Sequence, residues 1–325
     1  MALSKILPAS QKVQTVGKNL IINGAMQVAQ RGTQTNQTTA FTACDRFDIA
    51  VNGAAIMTTS QDTTVPSGQG FSNSLKIDVT TADSSLAASD LALLRHKIEA
   101  QNLQHLLYGT SDAKNITLSF WVRSPKTGTH IIELRHANAS YYNSQAYTIN
   151  TADTWQNVTV TFDGYTAAAF NNDNGLGLVI DWWLAAGSTF SGGTLASNTW
   201  QNTDANRTVG QVNCVDNAAN NFYLTGVQLE VGSTATDFEH RSYGDELARC
   251  QRYYEIYTSR TTSFAPDNQN GNARMMGTFA VNKRVQPTMT STSPWTLNGS
   301  INAYEGYSSN TSNVYYPNFT ADAEL

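Results

Sequence analysis

From residue 19 onward, strand signals appear in which apolar and polar side chains alternate with a period of two. Leu75-Lys76-Ile77-Asp78-Val79, Ile116-Thr117-Leu118-Ser119-Phe120-Trp121-Val122-Arg123 and Val158-Thr159-Val160-Thr161-Phe162 each place one set of side chains on an apolar face and the other on a polar face. These are the marks of half-buried strands. Leu178-Val179-Ile180-Asp181-Trp182-Trp183-Leu184 is apolar on both faces except at Asp181, which predicts a central strand covered on two sides or by a neighbouring subunit. Gly226 interrupts Phe222-Tyr223-Leu224-Thr225-Gly226-Val227-Gln228-Leu229 and predicts a bulge or a close backbone approach. A strand from Leu91 to Ile98 should lead into a short helix around Gln101 to Tyr108, with Leu103, Leu106 and Leu107 facing inward. Strands of this number, separated by Gly, Asn, Asp and Ser turns, predict a β-sandwich.

After Gly244 the period changes. Leu247, Cys250, Tyr254 and Tyr257 fall at helical spacing, so one helix is expected over 244 to 257. Strand-like pieces return at Met275 to Val281, Thr288 to Thr290 and Val314 to Thr320, broken by Pro287, Pro294 and polar turns, and predict a small β unit with a thin core. Before the sandwich, residues 1 to 18 show no sustained period and are expected to form an arm. The division is therefore an arm at 1–18, a sandwich at 19–243, and a helix with a small β unit at 244–325. The class is mostly β.

Composition narrows the function classes. Only 14% of the 325 residues are charged and the formal net charge is −5. No cluster of Lys and Arg stands ready to neutralise a row of phosphates, so a nucleic-acid partner is not expected. No apolar run has the length of a bilayer span, and no membrane insertion is expected. Cys44, Cys214 and Cys250 are far apart and odd in number, which argues against a disulfide framework and a zinc site and for buried thiols. There is no G-x-S-x-G elbow, P-loop or H-E-x-x-H helix. No metal, cofactor or catalytic residue is expected.

Three segments in order, Asn19-Leu20-Ile21-Ile22-Asn23-Gly24, Thr154-Trp155-Gln156-Asn157-Val158-Thr159-Val160-Thr161-Phe162 and Phe222 to Leu229, resemble the jelly-roll carbohydrate-binding modules appended to glycosidases. The stretch Asn19 to Gly32, the segment Val227-Gln228-Leu229-Glu230-Val231-Gly232, and Phe238-Glu239-His240-Arg241-Ser242-Tyr243-Gly244 with Glu246 to Tyr254 resemble structural proteins of bacteriophage virions, tail fibres among them. The resemblance implies a jelly-roll sandwich in a homotrimeric virion appendage, made in the host cytoplasm and carried on the virion surface. It would touch other virion proteins through its arm or C-terminal unit and bind host-surface glycan. A purely architectural fibre or adaptor is the alternative, and a polysaccharide depolymerase the third. The modules usually carry acidic residues for a structural Ca²⁺ where this chain has Ala25-Met26-Gln27 and Thr225-Gly226, so that site is not expected.

Sugar recognition in such a fold places aromatic rings against the apolar face of a pyranose and satisfies its hydroxyls with amides and carboxylates. The candidates are Trp121 on the polar side of its strand, Tyr141 and Tyr142 in a loop, Asp181 and Trp183 sharing a strand face, and Trp200 after a Gly/Ser/Asn stretch. Glycoside hydrolysis needs two carboxylates about 5 to 10 Å apart across a cleft, and nothing in the sequence selects a pair. Asp45-Arg46-Phe47-Asp48 and Glu239-His240-Arg241-Ser242-Tyr243 are read structurally, as ion-paired and hydrogen-bonded corners that fix the junction of sandwich and helix.

Overall fold

The computed structural model describes residues 17–258, 264–267, 272–291, 295–308 and 318–325, so the expected arm lies outside the described residues except for Gly17 and Lys18. Twelve strands build the sandwich: β1 Gln34–Gln37, β2 Thr39–Phe41, β3 Phe47–Asn52, β4 Ile56–Asp62, β5 Ser74–Thr81, β6 Leu91–Glu99, β7 Ile116–Arg123, β8 Gly128–His136, β9 Tyr141–Ile149, β10 Gln156–Phe162, β11 Leu176–Ala186 and β12 Asn221–Val231. They form two six-stranded antiparallel sheets, ordered β1-β4-β5-β12-β7-β10 and β2-β3-β6-β11-β8-β9. This is the expected mostly-β jelly roll.

The period-two segments behave as pleated strands must. On β7 the side chains of Ile116, Leu118, Phe120 and Val122 are wholly buried, while Ser119, Trp121 and Arg123 on the other face are partly exposed. The first sheet also contributes Leu75, Ile77, Phe162 and Leu229 to the interior, and the second sheet Phe47, Leu94, Ile132, Ile180 and Trp182. Each large apolar side chain moved from water contributes roughly 1.5–3 kcal/mol, so this interlayer is the main source of stability.

β12 keeps its apolar side chains inward only because its register slips by one residue between Thr225 and Gln228. Phe222 and Leu224 face the core before the slip, and Val227 and Leu229 after it. Gly226 carries the bulge with φ +61, a conformation glycine adopts without penalty. The bulged backbone is satisfied from the N-terminal strap: Val227 N–H donates to the Gly24 carbonyl at 2.9 Å, and the Asn19 side-chain amide donates to the Val227 carbonyl at 3.1 Å.

β11 is covered on both faces as its composition demands. The outer cover is the chain's own excursion between β11 and β12, which starts with α1 (Ser188–Ser191). Phe190 and Leu195 pack over an apolar row of Ala50, Leu93, Trp183 and Ile131. Short 3-10 turns at Ala100–Leu106 replace the expected helix, with Leu103 and Leu106 inward. Leu107, expected inward, is instead exposed, because it takes a left-handed conformation (φ +55) that ends the turns.

Beyond the sandwich, α2 (Tyr243–Gln251) is capped by Ser242, whose hydroxyl accepts from the Asp245 N–H at 3.2 Å. The helix expected to reach residue 257 ends six residues earlier. Tyr254 and Tyr257 are buried all the same, but on strand β13 (Tyr254–Tyr257), which pairs with Phe319–Asp322; an aromatic-rich Tyr-Glu-Ile-Tyr run suits a strand better than a helix end. The remaining strands are β14 Phe264–Asp267, β15 Asn272–Thr278, β16 Thr288–Ser291, β17 Thr296–Gly299, β18 Ala303–Ser308 and β19 Phe319–Asp322, in sheets of three (β13-β19-β16) and four (β14-β15-β18-β17). The strand expected at 275–281 lies at 272–278, and of that expected at 314–320 only Phe319 and Thr320 fall in β19, residues 309–317 being outside the described set. Tyr257, Met275, Phe279, Trp295, Tyr304 and Phe319 form a separate small core.

The seam between sandwich and C-terminal unit is held by desolvated charges. Arg46 is 1% exposed, ion-pairs with Glu324 and lies 3.4 Å over the Tyr253 ring. Glu99, fully buried, accepts from Arg252 at 2.9 and 3.0 Å and from the Tyr253 hydroxyl at 2.5 Å. Removing one member of a buried pair strands the other charge, at a cost of about 3–5 kcal/mol. Glu324→Ala should therefore lower stability by about that amount, and urea denaturation followed by tyrosine and tryptophan fluorescence is the check; a loss below about 1 kcal/mol would contradict a load shared through this pair.

Candidate functional site

The outer face of the first sheet carries a cleft of about 410 Å³. Its floor is the outward row of β7 and β10, with Ser119 and Trp121 beside Asn157 and Thr159, and the β12 bulge at Gly226. One wall is the turn Gly68, Gln69 and Phe71; the other is the segment after β12, with Thr236, Asp237, Phe238 and His240. Phe71, Phe238 and His240 stack edge to face and tilted, with centroids 4.9 to 5.4 Å apart, which fixes the two walls to each other.

Gly226 makes room for this cleft. A Cβ there would lie 2.6 Å from Phe71 Cζ and 3.0 Å from Trp121 Cδ1, so any side chain would push apart the ring forming the floor and the ring forming the wall. The Trp121 indole N–H, the Ser119 and Thr159 hydroxyls and the Gln69 amide have no hydrogen-bond partner within the described chain, and so are presented to whatever occupies the cleft. A flat ring flanked by hydroxyl and amide groups suits a ligand with an apolar face and a hydroxylated rim.

Of the six residues singled out from sequence, Trp121 alone lines this cleft. Tyr141 and Trp200 pack with Tyr165, at centroid distances of 5.2 and 5.1 Å, in an aromatic cluster that also holds Tyr108, His136 and Phe170. Trp200 donates its indole N–H to the Asp163 carbonyl at 2.7 Å. Tyr141 and Tyr142, expected in a loop, begin β9. Tyr142 lies on the outer face of the second sheet under the Arg207 guanidinium, 3.8 Å from its ring. Trp183 has no exposed surface and Asp181 is 1% exposed, so neither presents a face to a ligand here. Period-two reasoning placed the last two on an outer face correctly; it could not see that residues 187–212 return over that face. The residues it missed, Phe71, Phe238 and His240, stand in turns without periodicity.

The covered face holds a charged row that runs straight across the sheet, Asp48, Arg95, Asp181, Glu133 and Ser144, each the cross-strand partner of the next. Two carboxylates directly opposite each other repel. Glu133 is compensated: Arg207 grips it at 2.6 and 2.9 Å and the Ser144 hydroxyl donates at 2.9 Å. Asp181 is not. Both its oxygens are buried without a hydrogen bond, and the Arg135 Nε stands 3.6 Å away. Burial, the main cause, pushes its pKa up to about 6; Glu133 adds to the rise, and Arg135, Arg95 and Arg207 oppose it. Among the described residues no group of three His, Cys, Asp or Glu side chains is placed to hold a metal ion.

No family model and no curated protein matches the sequence. Solved structures similar to it include the enzymatically active domain of bacteriophage CBA120 tailspike protein 4, at 12% identity and TM-score 0.34, covering 66% of this chain and 21% of that one. A putative sugar binding protein from Bacteroides thetaiotaomicron has 14% identity and TM-score 0.36, covering 66% and 99%. The module TmCBM61 in complex with β-1,4-galactotriose has 8% identity and TM-score 0.31, covering 66% and 98%. Likenesses this distant assign neither ligand nor activity, and the jelly roll rests on the strand order above.

Gly226→Ala should cost about 2 kcal/mol or more, from a left-handed backbone plus two ring clashes, seen as a lower urea midpoint and a shifted Trp emission maximum. Asp181 gives a pH prediction. Its folded-state pKa lies above the unfolded value, so its ionised form is disfavoured in the fold: the penalty is absent below about pH 4, grows as pH rises to about 6, and is complete above. Asp181→Asn should therefore stabilise the protein at pH 7.5 by up to about 3 kcal/mol and flatten the pH 4–6 part of the stability profile; an unchanged profile would dismiss the assignment.

Proposed function

We propose that this chain is a non-catalytic, glycan-binding jelly roll carried on a bacteriophage virion as a tail fibre or similar appendage, and that the cleft over Trp121 receives a sugar of the host surface. The observation that carries the reading is the cleft itself: an outward Trp ring flanked by unpartnered hydroxyl and amide groups, with room made by a glycine. A pyranose ring offers one apolar face and a polar rim, and matches both. The virion setting rests on the resemblance of the Asn19 to Gly32 and Phe238 to Tyr254 segments to virion structural proteins. Homotrimeric assembly belongs to the same reading, and multiplies a weak site by copy number.

Binding without cleavage is favoured because the cleft lining contains one carboxylate, Asp237, whereas glycoside hydrolysis uses two flanking the bond. Glu133 and Asp181, directly opposite each other on the second sheet, are sealed beneath the 187–212 excursion. On a glycan array the wild type should bind a defined set of sugars, and Trp121→Ala should lose at least about tenfold in affinity with an unchanged circular dichroism spectrum. Wild-type silence across the array and on host envelope polysaccharide would overturn the reading, as would binding unaffected by Trp121→Ala.

A further inference from the structure

A second cleft, of about 530 Å³, lies along α2, lined by Glu239 and Arg241 before the helix, by Asp245, Ala248, Arg249 and Arg252 along it, and by Val281 and Asn282 of the C-terminal unit. Four of these, at 245, 248, 249 and 252, follow the i, i+3, i+4, i+7 spacing of one helix face. Three guanidinium groups and two carboxylates meet here, and the carboxylates are already engaged. Glu239 accepts from the backbone N–H of Gly17 at 2.5 Å and of Asn19 at 2.8 Å and pairs with Arg241 at 3.2 Å. Asp245 accepts from the Ser242 hydroxyl at 2.7 Å.

The cations are not saturated. Arg241, with its side chain 8% exposed, gives Nη1 to the Ile21 carbonyl at 2.8 Å, pairs with Glu246 at 3.5 Å and gives Nη2 to Glu239 and the Asn19 carbonyl; its Nε–H has no partner but is buried out of reach of the cleft. Arg252 spends Nε and Nη2 on Glu99 and keeps Nη1. Arg249 is exposed and has no ion pair or hydrogen bond among the described residues. The guanidinium edges of Arg249 and Arg252 that remain offer charge-assisted donors of the forked kind suited to oxyanions.

We propose that this arginine cleft is a binding site for an oxyanion, a carboxylate or phosphate group of a small molecule or of a sugar unit, with the free edges of Arg249 and Arg252 as donors and Asn282 at the rim. It is separate from the Trp121 cleft, whose described lining contains neither Lys nor Arg. The two stand or fall independently.

Isothermal titration of the full chain with inorganic phosphate, D-glucuronate and, as a control, D-glucose tests it. Saturable binding of phosphate or glucuronate is expected, weakened by added salt as charge-assisted contacts are, and with no binding of glucose here. Phosphate alone or glucuronate alone would identify the source of the oxyanion. Arg249→Ala removes a side chain without an intramolecular partner, so the fold should persist while affinity drops at least about tenfold. Arg249→Lys should recover only part of it, since an ammonium lacks the fork. Absence of saturable binding to both anions, or wild-type affinity in Arg249→Ala, would overturn the proposal; neither result bears on Trp121→Ala.

Discussion

The one-residue bulge at Gly226 is the constraint on which the rest of this molecule turns. A strand of eleven residues crossing the middle of the first sheet must keep apolar side chains inward along its whole length, and its sequence changes parity halfway. The bulge reconciles the two. It also leaves a backbone N–H and carbonyl without ladder partners, and buried backbone groups must find others. The strap Asn19 to Gly24 supplies them, which is why that segment is pressed so tightly against β12 that a Cβ on Gly24 would overlap the Val227 carbonyl at 2.1 Å. The same glycine that permits the left-handed turn leaves the space beneath Trp121. Core register, strap docking and the cleft thus share one cause.

The two outer faces of the sandwich are treated oppositely. On the second sheet the chain covers itself: Arg207 reaches from the excursion to Glu133, and its guanidinium lies over Tyr142 and within 5.0 Å of Trp183. Removing that face from water seals in a row of charges, and Asp181, buried without a hydrogen bond, is the cost that remains. On the first sheet no such excursion among the described residues crosses β7 and β10, and the outward polar row lies between two short walls. The location of the candidate site follows from which sheet the long β11–β12 connection happens to cover.

This asymmetry also marks what could be read from the sequence. Alternation located β5, β7 and β10, the two-sided apolar run located β11, and Gly226 announced the bulge, because each is a local consequence of burial on one or two faces. The helix end was misplaced because Leu247, Cys250, Tyr254 and Tyr257 satisfy a helical period numerically, while the pairing of Tyr254–Tyr257 with a strand about sixty-five residues later is not local information. Trp183 and Trp121 look alike in sequence, each a Trp on an outward strand face. Only the path of a distant loop separates a buried ring from an open one. Glu324, a terminal residue in an unpatterned tail, gave no sign that it would meet Arg46 across the seam, since ion pairing between residues so far apart leaves no periodic trace.

The segment from Thr236 to Arg241 connects these threads. It belongs to no strand, and its side chains divide between the two clefts. Phe238 and His240 face the Trp121 cleft, and Glu239 and Arg241 face the arginine cleft. Its backbone is fixed at both ends to β12, with the Thr236 N–H on Glu230 and the Glu239 N–H on Gln228, both at 2.8 Å. Those two acceptors sit just past the bulge, on the strand whose register the bulge sets. A wall held this way loses little freedom when either cleft is filled, so the ordering cost that usually erodes weak binding is met largely during folding. Pre-organisation of both clefts is then a property of β12, and a lesion there would loosen the aromatic wall and the arginine wall together.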